Sequence, residues 1–315
     1  MVTIRRKGWR KMKHKNNRED RSVTGNSDRV FDGVVYALLA VILVLIAYPL
    51  LYVVSCSLSD PARILTNDII LFPKGFNVES YVSVIKENRL TGGYVNTIVY
   101  TVVGTAINIS LTATGAYALS CRKLKGRGVF TKFILFTMLF SGGLIPTYLV
   151  VSDLHLLNSM WSIVLPNAVG VTNFIIMKNS FENSIPDELK EAASVEGCSD
   201  IGIFLKIVLP LSKPILAVMV IFYSVGHWNE YFNALLYITE KSAQPLQVVL
   251  RDILISNELT EMMGNVNQLN SESRLAIAEG MKYSTIVISS LPMILLYPFF
   301  QKYFVKGVMV GAVKG

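Results

Sequence analysis

Few residues of this 315-residue chain have the types and spacing that enzyme chemistry requires. The three histidines, His14, His155 and His227, lie far apart, with no partner at metal-ligand spacing. Ser83 and Lys86 match the S-x-x-K pattern of some serine nucleophiles, but this pattern is short and lies in a predicted external loop. No G-x-x-x-x-G-K-[ST] loop for nucleotide phosphates occurs. The sequence therefore predicts a protein that is not an enzyme, with no metal site and no cofactor.

Ionisable side chains are scarce within the apolar stretches of the chain. Glu230 and His227 lie toward the predicted outer end of the fifth such stretch. Because intramembrane carboxylates mark ion and proton pathways, an ion-coupled carrier would need more of them. Such a carrier would also be expected to contain an internal inverted repeat, and none is visible. An ion-coupled carrier and a membrane-anchored signalling or enzyme subunit stay the less favoured alternatives. The energy source is expected on a cytoplasmic partner.

The segment 179–213 has the pattern of two short helices separated by a break. Ser184 is a candidate N-cap, and Pro186 suits the first turn of a helix. Gly197 is expected to end this first helix, because glycine readily adopts positive φ. A second helix is predicted from about Asp200, and Pro210 separates it from the next apolar run. The pattern predicts a helical hairpin between two membrane segments.

This hairpin resembles the EAA loop of ABC-importer permeases. The matching residues are Glu191, Ala192, Ala193, Gly197, Ile207, Leu209 and Pro210. The resemblance implies that the first helix of the loop docks in a cleft on a cytoplasmic ATPase. It implies polar contact between Glu191 and the ATPase, and a turn at Gly197. Many members carry Asp before that glycine, where this chain has Glu196.

A narrower resemblance covers the chain from about residue 31 to its end. It is similar to the carbohydrate-uptake class of these permeases, in the MalG-like branch and the LplC/YtcP group. The segments that carry it are 71–81, 140–148, 157–159, 228–229, 301–307 and 311–315. The resemblance implies a permease subunit of a binding-protein-dependent importer for a sugar, such as an oligosaccharide, with a non-sugar solute as the alternative. The implied partners are a second homologous permease, two cytoplasmic ABC ATPase subunits and an extracytoplasmic solute-binding (lipo)protein, without nucleic acid.

The elements that must hold this loop are membrane helices. The chain is 52% hydrophobic and 17% charged, whereas soluble domains are about 25% charged. A helix of about 20 mostly apolar residues crosses a bilayer core. Six runs qualify: 34–55, 96–118, 133–151, 161–178, 214–236 and 283–304. We predict an all-α integral membrane protein with six transmembrane helices, and the resemblance implies the MetI-like fold of type I ABC importer permeases. For the fourth run, a buried soluble helix is the alternative.

The basic residues orient the chain in the membrane. With the N-terminus inside, 22 of the 30 Lys and Arg lie on the cytoplasmic side, as the positive-inside rule favours. Both termini are therefore expected in the cytoplasm, in a multi-pass protein of the cell membrane. The first apolar run is too long for a signal peptide, and no cleavage site follows it. We divide the chain into a basic cytoplasmic tail (1–30), the first helix with an external loop (31–95) and a transport core (96–315).

Candidates for the solute pathway lie in the third and fifth runs. They are Gly142, Gly143, Trp228, Asn229, Tyr231 and Asn233. Gly142 and Gly143, with Pro146, are expected to bend the third run, and irregular backbone at membrane depth is tolerated where it lines a cavity. The aromatic rings could stack on sugar faces while the amides bind hydroxyl groups. An aromatic belt at the membrane interface is the alternative for the fifth run.

Two further features remain open. Ser110, Thr114 and Ala118 form a row of small side chains, which suits helix packing, with pathway lining as the alternative. The external loop 237–282 contains an amphipathic stretch, Leu246 to Ile255, and a polar segment with Asn265, Asn267 and Asn270. By resemblance this loop would contact the binding protein, and a solvated loop is the alternative.

Overall fold

The computed structural model describes residues 26–263 and 271–312, and within these ranges all regular secondary structure is helical, with no strand. The N-terminal half contains α1 (Asn26–Ser57), α2 (Pro61–Leu65), α3 (Glu79–Lys86), α4 (Asn88–Ser120), α5 (Arg127–Leu139) and α6 (Leu144–Asp153). The C-terminal half contains α7 (Trp161–Val164), α8 (Val171–Ser184), α9 (Asp187–Val195), α10 (Asp200–Leu211), α11 (Lys213–Trp228), α12 (Phe232–Tyr237), α13 (Leu246–Met263) and α14 (Ser271–Ala312). The predicted all-α class is confirmed.

The candidate membrane-crossing elements include both continuous helices and broken ones. Among the described residues, α1 and α4 are each long and apolar enough to cross a membrane alone. Two bent pairs would raise the number of spans to four, if each pair is one span. These pairs are α5 with α6, at 112°, and α10 with α11, at 82°. The sixth apolar run lies within the 42-residue helix α14.

The third apolar run bends at Gly142 and Gly143, as predicted from the sequence. The chain leaves α5 after Leu139 and re-enters a helix at Leu144. Gly143 has φ +90°, which a residue with a side chain rarely adopts, so glycine permits the turn at this point. Both glycines are exposed.

The prediction of one continuous helix over the fourth run is wrong, because this run breaks between α7 and α8. Pro166 lies in the break, and proline cannot donate a helical hydrogen bond. The backbone of the break is satisfied from neighbouring helices instead. The fully buried Asn108 of α4 donates to the carbonyls of Asn167 and Ala168, at 2.8 Å each. The Tyr223 hydroxyl of α11 accepts from the backbone N–H of Gly170 at 3.3 Å.

The main core lies where α4, α8 and α11 meet. Small residues of α4, including Ala113 and Ala116, pack against Phe174 and Phe181 of α8 and Met219 of α11. Alanine lets the helix backbones approach closely, as in many membrane helix contacts. This three-helix core is the support from which the loop after α8 projects.

The first helix stands apart from this core. Apolar side chains of α1 are exposed from Val30 to Leu51, and contact with α14 is made near the end of the helix. There Tyr52 packs edge-to-face against Tyr283, with ring centres 6.0 Å apart. An exposed apolar helix is suited to contact with lipid or with another subunit.

The small-residue row of α4 also faces outward. Ser110, Thr114 and Ala118 are all exposed. Ser110 donates to the carbonyl of Ala106 and Thr114 to that of Ser110, at 2.7 Å each, so both hydroxyls bond within their own helix. This row therefore does not pack against the other helices that the structure describes.

Candidate functional site

The EAA loop folds as a helical hairpin of α9 and α10. The N-cap prediction at Ser184 is wrong, because α8 continues to Ser184 and Pro186 precedes the first turn of α9. Asp187 and Glu188 occupy that first turn, where the helix dipole favours acidic side chains. Gly197 makes the turn with φ +82°, and nothing lies within 4 Å of the position of an added Cβ. Backbone conformation alone therefore requires glycine at this position.

The second helix of the hairpin has its own start signal and an irregular centre. The Ser199 hydroxyl accepts a hydrogen bond from the backbone N–H of Gly202 at 3.2 Å, as an N-cap does. Phe204–Val208 forms a π-helical turn. This turn ends two residues before Pro210, which lacks the N–H that a continuing α-helix would use. The wide turn thus coincides with the second half of the EAA motif.

One face of the hairpin is packed into the membrane core. Ala193, Ile203 and Val208 are buried in the same cluster as Phe181 and Met219, and Ile207 and Leu209 pack against it. Ala193 therefore serves packing inside this chain, whereas its neighbour Ala192 is exposed. A force on the hairpin would be transmitted directly to α8 and α11, because they share one packed cluster.

The opposite face of the hairpin is an exposed apolar surface. Val195 is 89% exposed and Ile201 72% exposed, and Leu205 and Ala192 are also exposed. Their position beside the turn at Gly197 leaves them clear of the rest of the described chain. We call Ala192, Val195, Ile201 and Leu205 the hairpin tip.

Basic residues of the loop before α5 reach the acidic side of α9. Arg122 pairs with Asp187 at 3.1 Å, and Lys123 pairs with Glu191 at 3.3 Å. All four side chains are at least 40% exposed, so each pair contributes little to stability. Glu191 is therefore held by a weak contact that another surface could replace.

A second candidate site is a cavity of about 730 Å³ between α11, α13 and α14. Trp228, Asn229 and Tyr231 line it from the end of α11, and Gln247 and Arg251 line it from α13. The other lining side chains come mostly from α14, including Lys282, Thr285, Ser289 and Ser290. We call it the outer cavity, because it lies beside the predicted external loop.

Trp228 forms a fixed wall of this cavity. It is 4% exposed, and its indole N–H donates to the carbonyl of Ser289 at 3.1 Å. Its ring meets that of Tyr94 edge-on, with centres 5.6 Å apart. The Gln247 amide also donates to the Trp228 carbonyl, at 3.4 Å.

The other pathway candidates are placed elsewhere. Asn233 is turned toward Glu230, to which both its backbone N–H and its side-chain amide donate at 3.1 Å. Gly142 and Gly143 lie at the bend of the third run and do not line the outer cavity. The structure thus brings together three of the six predicted pathway residues.

Buried His227 belongs to the helix contacts and not to a metal site. Its Nε2 lies 2.6 Å from the Asn108 Oδ1, so it holds the side chain that satisfies the break in the fourth run. Within residues 26–263 and 271–312, no group of three or more His, Cys, Asp or Glu residues could hold a metal ion.

The external loop is more structured than a solvated loop, so that alternative is wrong for its first part. Leu246, Val249 and Leu250 of α13 are buried against Leu90 and Trp228. The polar segment with Asn265, Asn267 and Asn270 lies outside the described residues. Sequence reasoning missed Arg251, although a cation at the end of a buried apolar stretch could have indicated a residue that faces a cavity.

The sequence as a whole decides the family. Residues 126–310 match the family described as "Binding-protein-dependent transport system inner membrane component". The chain belongs to this family. It is an inner-membrane permease and not an enzyme, and members of the family generally work with a binding protein, ATPase subunits and a second permease.

Relatives that align with almost the whole permease support this family. It is 42% identical to the protein LplC of Bacillus subtilis (strain 168), over 91% of this chain and 96% of LplC. It is 39% identical to the polygalacturonan/rhamnogalacturonan transport system permease protein YtcP of the same organism, over 91% of this chain and 99% of YtcP. A crystal structure of a bacterial ABC transporter involved in the import of the acidic polysaccharide alginate has a chain that is 35% identical, with a TM-score of 0.81, covering 89% of this chain and 98% of that one. The predicted type I, MetI-like fold is confirmed.

Proposed function

We propose that this permease imports an oligosaccharide into the cytoplasm, using ATP that a separate subunit hydrolyses. The observation that carries the proposal is the hairpin of α9 and α10, which is rooted in the core at Ala193 and Val208 and presents an exposed apolar tip. A rigid element with one packed end and one exposed end can transmit movement between a docked ATPase and the membrane helices.

The relatives support a saccharide as the cargo. YtcP is named for polygalacturonan and rhamnogalacturonan, and the solved transporter is described as an importer of alginate. A further relative, 26% identical over 85% of this chain, is the AraQ permease for arabinooligosaccharides of Halalkalibacterium halodurans. The outer cavity adds amide, hydroxyl and aromatic groups, which are the side chains that bind sugars.

The assembly that we propose has a second permease, two ATPase copies and an external binding protein. Glu191 and the hairpin tip would contact one ATPase copy. ATP binding would bring the two hairpins together and turn the pathway outward, and hydrolysis would reset it. We propose the same division of the chain as above, into a basic cytoplasmic tail (1–30), the first helix with an external loop (31–95) and a transport core (96–315), with α1, α2 and α3 of the second part in contact with α14 of the core.

The proposal is tested by co-purification from native membranes. We expect the tagged wild-type permease to bring down an ABC ATPase and a second permease. Ile201→Asp should reduce the amount of co-purifying ATPase at least tenfold, because a charge at an apolar contact must be desolvated on docking. The amount of the second permease should not change. The matched control is Ile70→Asp, since Ile70 is 70% exposed in the external loop, and it should retain both partners.

Two results would contradict the proposal. One is the absence of any ABC ATPase beside the wild-type permease after gentle extraction. The other is equal retention of the ATPase by the Ile201→Asp and Ile70→Asp variants, which would show that the hairpin tip is not the docking surface.

A further inference from the structure

The outer cavity has an unbalanced charge. Among the described residues, its lining includes two cations, Arg251 and Lys282, and no carboxylate. Hydroxyl, amide and aromatic groups are sufficient to bind a neutral sugar, which has no charge to offset the cost of desolvating a cation. The charge therefore needs a separate explanation from the sugar-binding groups around it.

Arg251 is the less compensated of the two cations. Its guanidinium carbon lies 5.9 Å from the centre of the Tyr231 ring, and it forms no ion pair with a described residue. The adjacent Asp252 does not neutralise it, because Asp252 is paired with Arg89 at 2.9 Å. Glu230, the nearest acid along the chain on the α11 side, accepts two hydrogen bonds from Asn233.

Lys282 is partly balanced. Its Nζ lies 3.6 Å from a carboxylate oxygen of Glu279, one turn earlier in α14, and 6.0 Å from the centre of the Tyr283 ring. The cavity as a whole therefore keeps a net positive charge, with Arg251 as the group most available to an incoming anion.

The geometry of Arg251 suits one kind of anion. A guanidinium that rests over an aromatic face keeps its N–H groups at its edge, and these match the two oxygens of a carboxylate. Tyr231 lies on one side of the guanidinium, within the range of a cation–π contact, and the rigid planar guanidinium loses little entropy for each hydrogen bond that it forms. Asn229, Gln247 and Ser290 add amide and hydroxyl groups around the same space.

We infer that the outer cavity binds a saccharide that carries carboxylate groups, with one carboxylate paired to Arg251 and Lys282 supplying a second positive charge. This inference rests on the proposed function, which it narrows from an oligosaccharide to an acidic one. The cargo class is thus a uronate oligosaccharide, and the selective contact lies in this permease as well as in any binding protein.

Direct binding tests this inference without the binding protein. The full complex, purified with its second permease and ATPase, is titrated with two probes: a trisaccharide of α-linked galacturonate and one of β-linked mannuronate. Each is compared with its methyl ester, which keeps the skeleton and removes the charge. Binding is measured in the nucleotide-free and the vanadate-trapped complex, and the tighter value is used.

We expect at least one uronate to bind the wild-type complex about tenfold to a hundredfold more tightly than its ester, as for a charge-assisted hydrogen-bonded pair. Arg251→Gln should remove this preference and leave binding of the ester within about twofold. Arg251→Lys should keep part of it. Arg63→Gln, which changes an exposed external arginine outside the cavity, should keep all of it.

Three results would overturn the inference. Both esters could bind as tightly as the acids, neither uronate could bind, or Arg251→Gln could weaken the acid and the ester equally. In each case, a complex that retains its ATPase and transports neutral oligosaccharides would leave the proposed function standing. Loss of the ATPase from the wild-type complex would instead contradict the proposed function itself.

Discussion

At the scale of single residues, the buried polar contact between Asn108 and His227 connects three parts of the permease. His227 on α11 lies 2.6 Å from Asn108 on α4, and Asn108 satisfies two carbonyls of the break before α8. Gly104 makes this contact possible, because a Cβ at that position would lie 2.5 Å from the His227 Nε2. Side chains at 104 and 227 therefore exclude one another.

Gly104→Ala should consequently lower the stability of the permease, by about 1–3 kcal/mol, since His227 must move and leave buried polar groups unpaired. The measurement is the thermal unfolding midpoint of the purified permease in detergent. Gly92→Ala in the same helix is the matched control, because nothing lies within 4 Å of its added Cβ. It should be neutral or slightly stabilising, as alanine is in a helix. Equal midpoints for the two variants would show that the contact tolerates displacement.

At the scale of elements, the hairpin of α9 and α10 has one face packed in the core, and the acidic side of α9 is held only by weak ion pairs. Lys123 and Glu191 are 82% and 59% exposed in their side chains, and an exposed pair of this kind contributes about 0–1 kcal/mol. We therefore expect Glu191 to leave Lys123 when the ATPase docks. The pair positions Glu191 before docking and does not hold the hairpin together.

Neutralising Glu191 and neutralising Lys123 should therefore have different effects on the amount of ATPase that co-purifies. Glu191→Gln should reduce co-purifying ATPase about threefold to tenfold, because a charge-assisted contact is lost. Lys123→Gln should change it less than twofold. The charge swap Lys123→Glu with Glu191→Lys restores the internal pair but should not restore the ATPase. Recovery of the ATPase in the swapped variant would mean that the internal pair is what matters.

At the scale of the whole molecule, the distribution of basic residues places the two candidate sites on opposite sides of the membrane. The hairpin lies on the cytoplasmic side and the outer cavity beside the external loop. The exposed helix α1 leaves a large apolar surface for lipid or for the second permease. This separation is what an importer requires, since the cargo arrives at one side and ATP is hydrolysed at the other.

Cysteine labelling in intact cells tests this arrangement. A membrane-impermeant maleimide should label Ile70→Cys and leave Lys125→Cys unlabelled, because positions 70 and 125 are both exposed and lie on opposite sides. Permeabilised cells should label both. The native cysteines are a weak background, since Cys56 is buried and Cys121 and Cys198 are half-buried. Labelling of Lys125→Cys in intact cells would reverse the topology.

Sequence alone determined the helical class, the apolar runs, the EAA motif and the glycine turns, because each depends on residues that are close together in the chain. Gly143 and Gly197 illustrate this, since a positive φ is a local demand. Only the tertiary structure decided the break in the fourth run, which Asn108 satisfies from another helix, and the inward face of Ala193. It also decided that Arg251 lies over Tyr231, 20 positions earlier in the chain. Contacts of this kind join segments that are distant in the chain, so no local sequence pattern predicts them. The positive charge of the outer cavity results from such contacts.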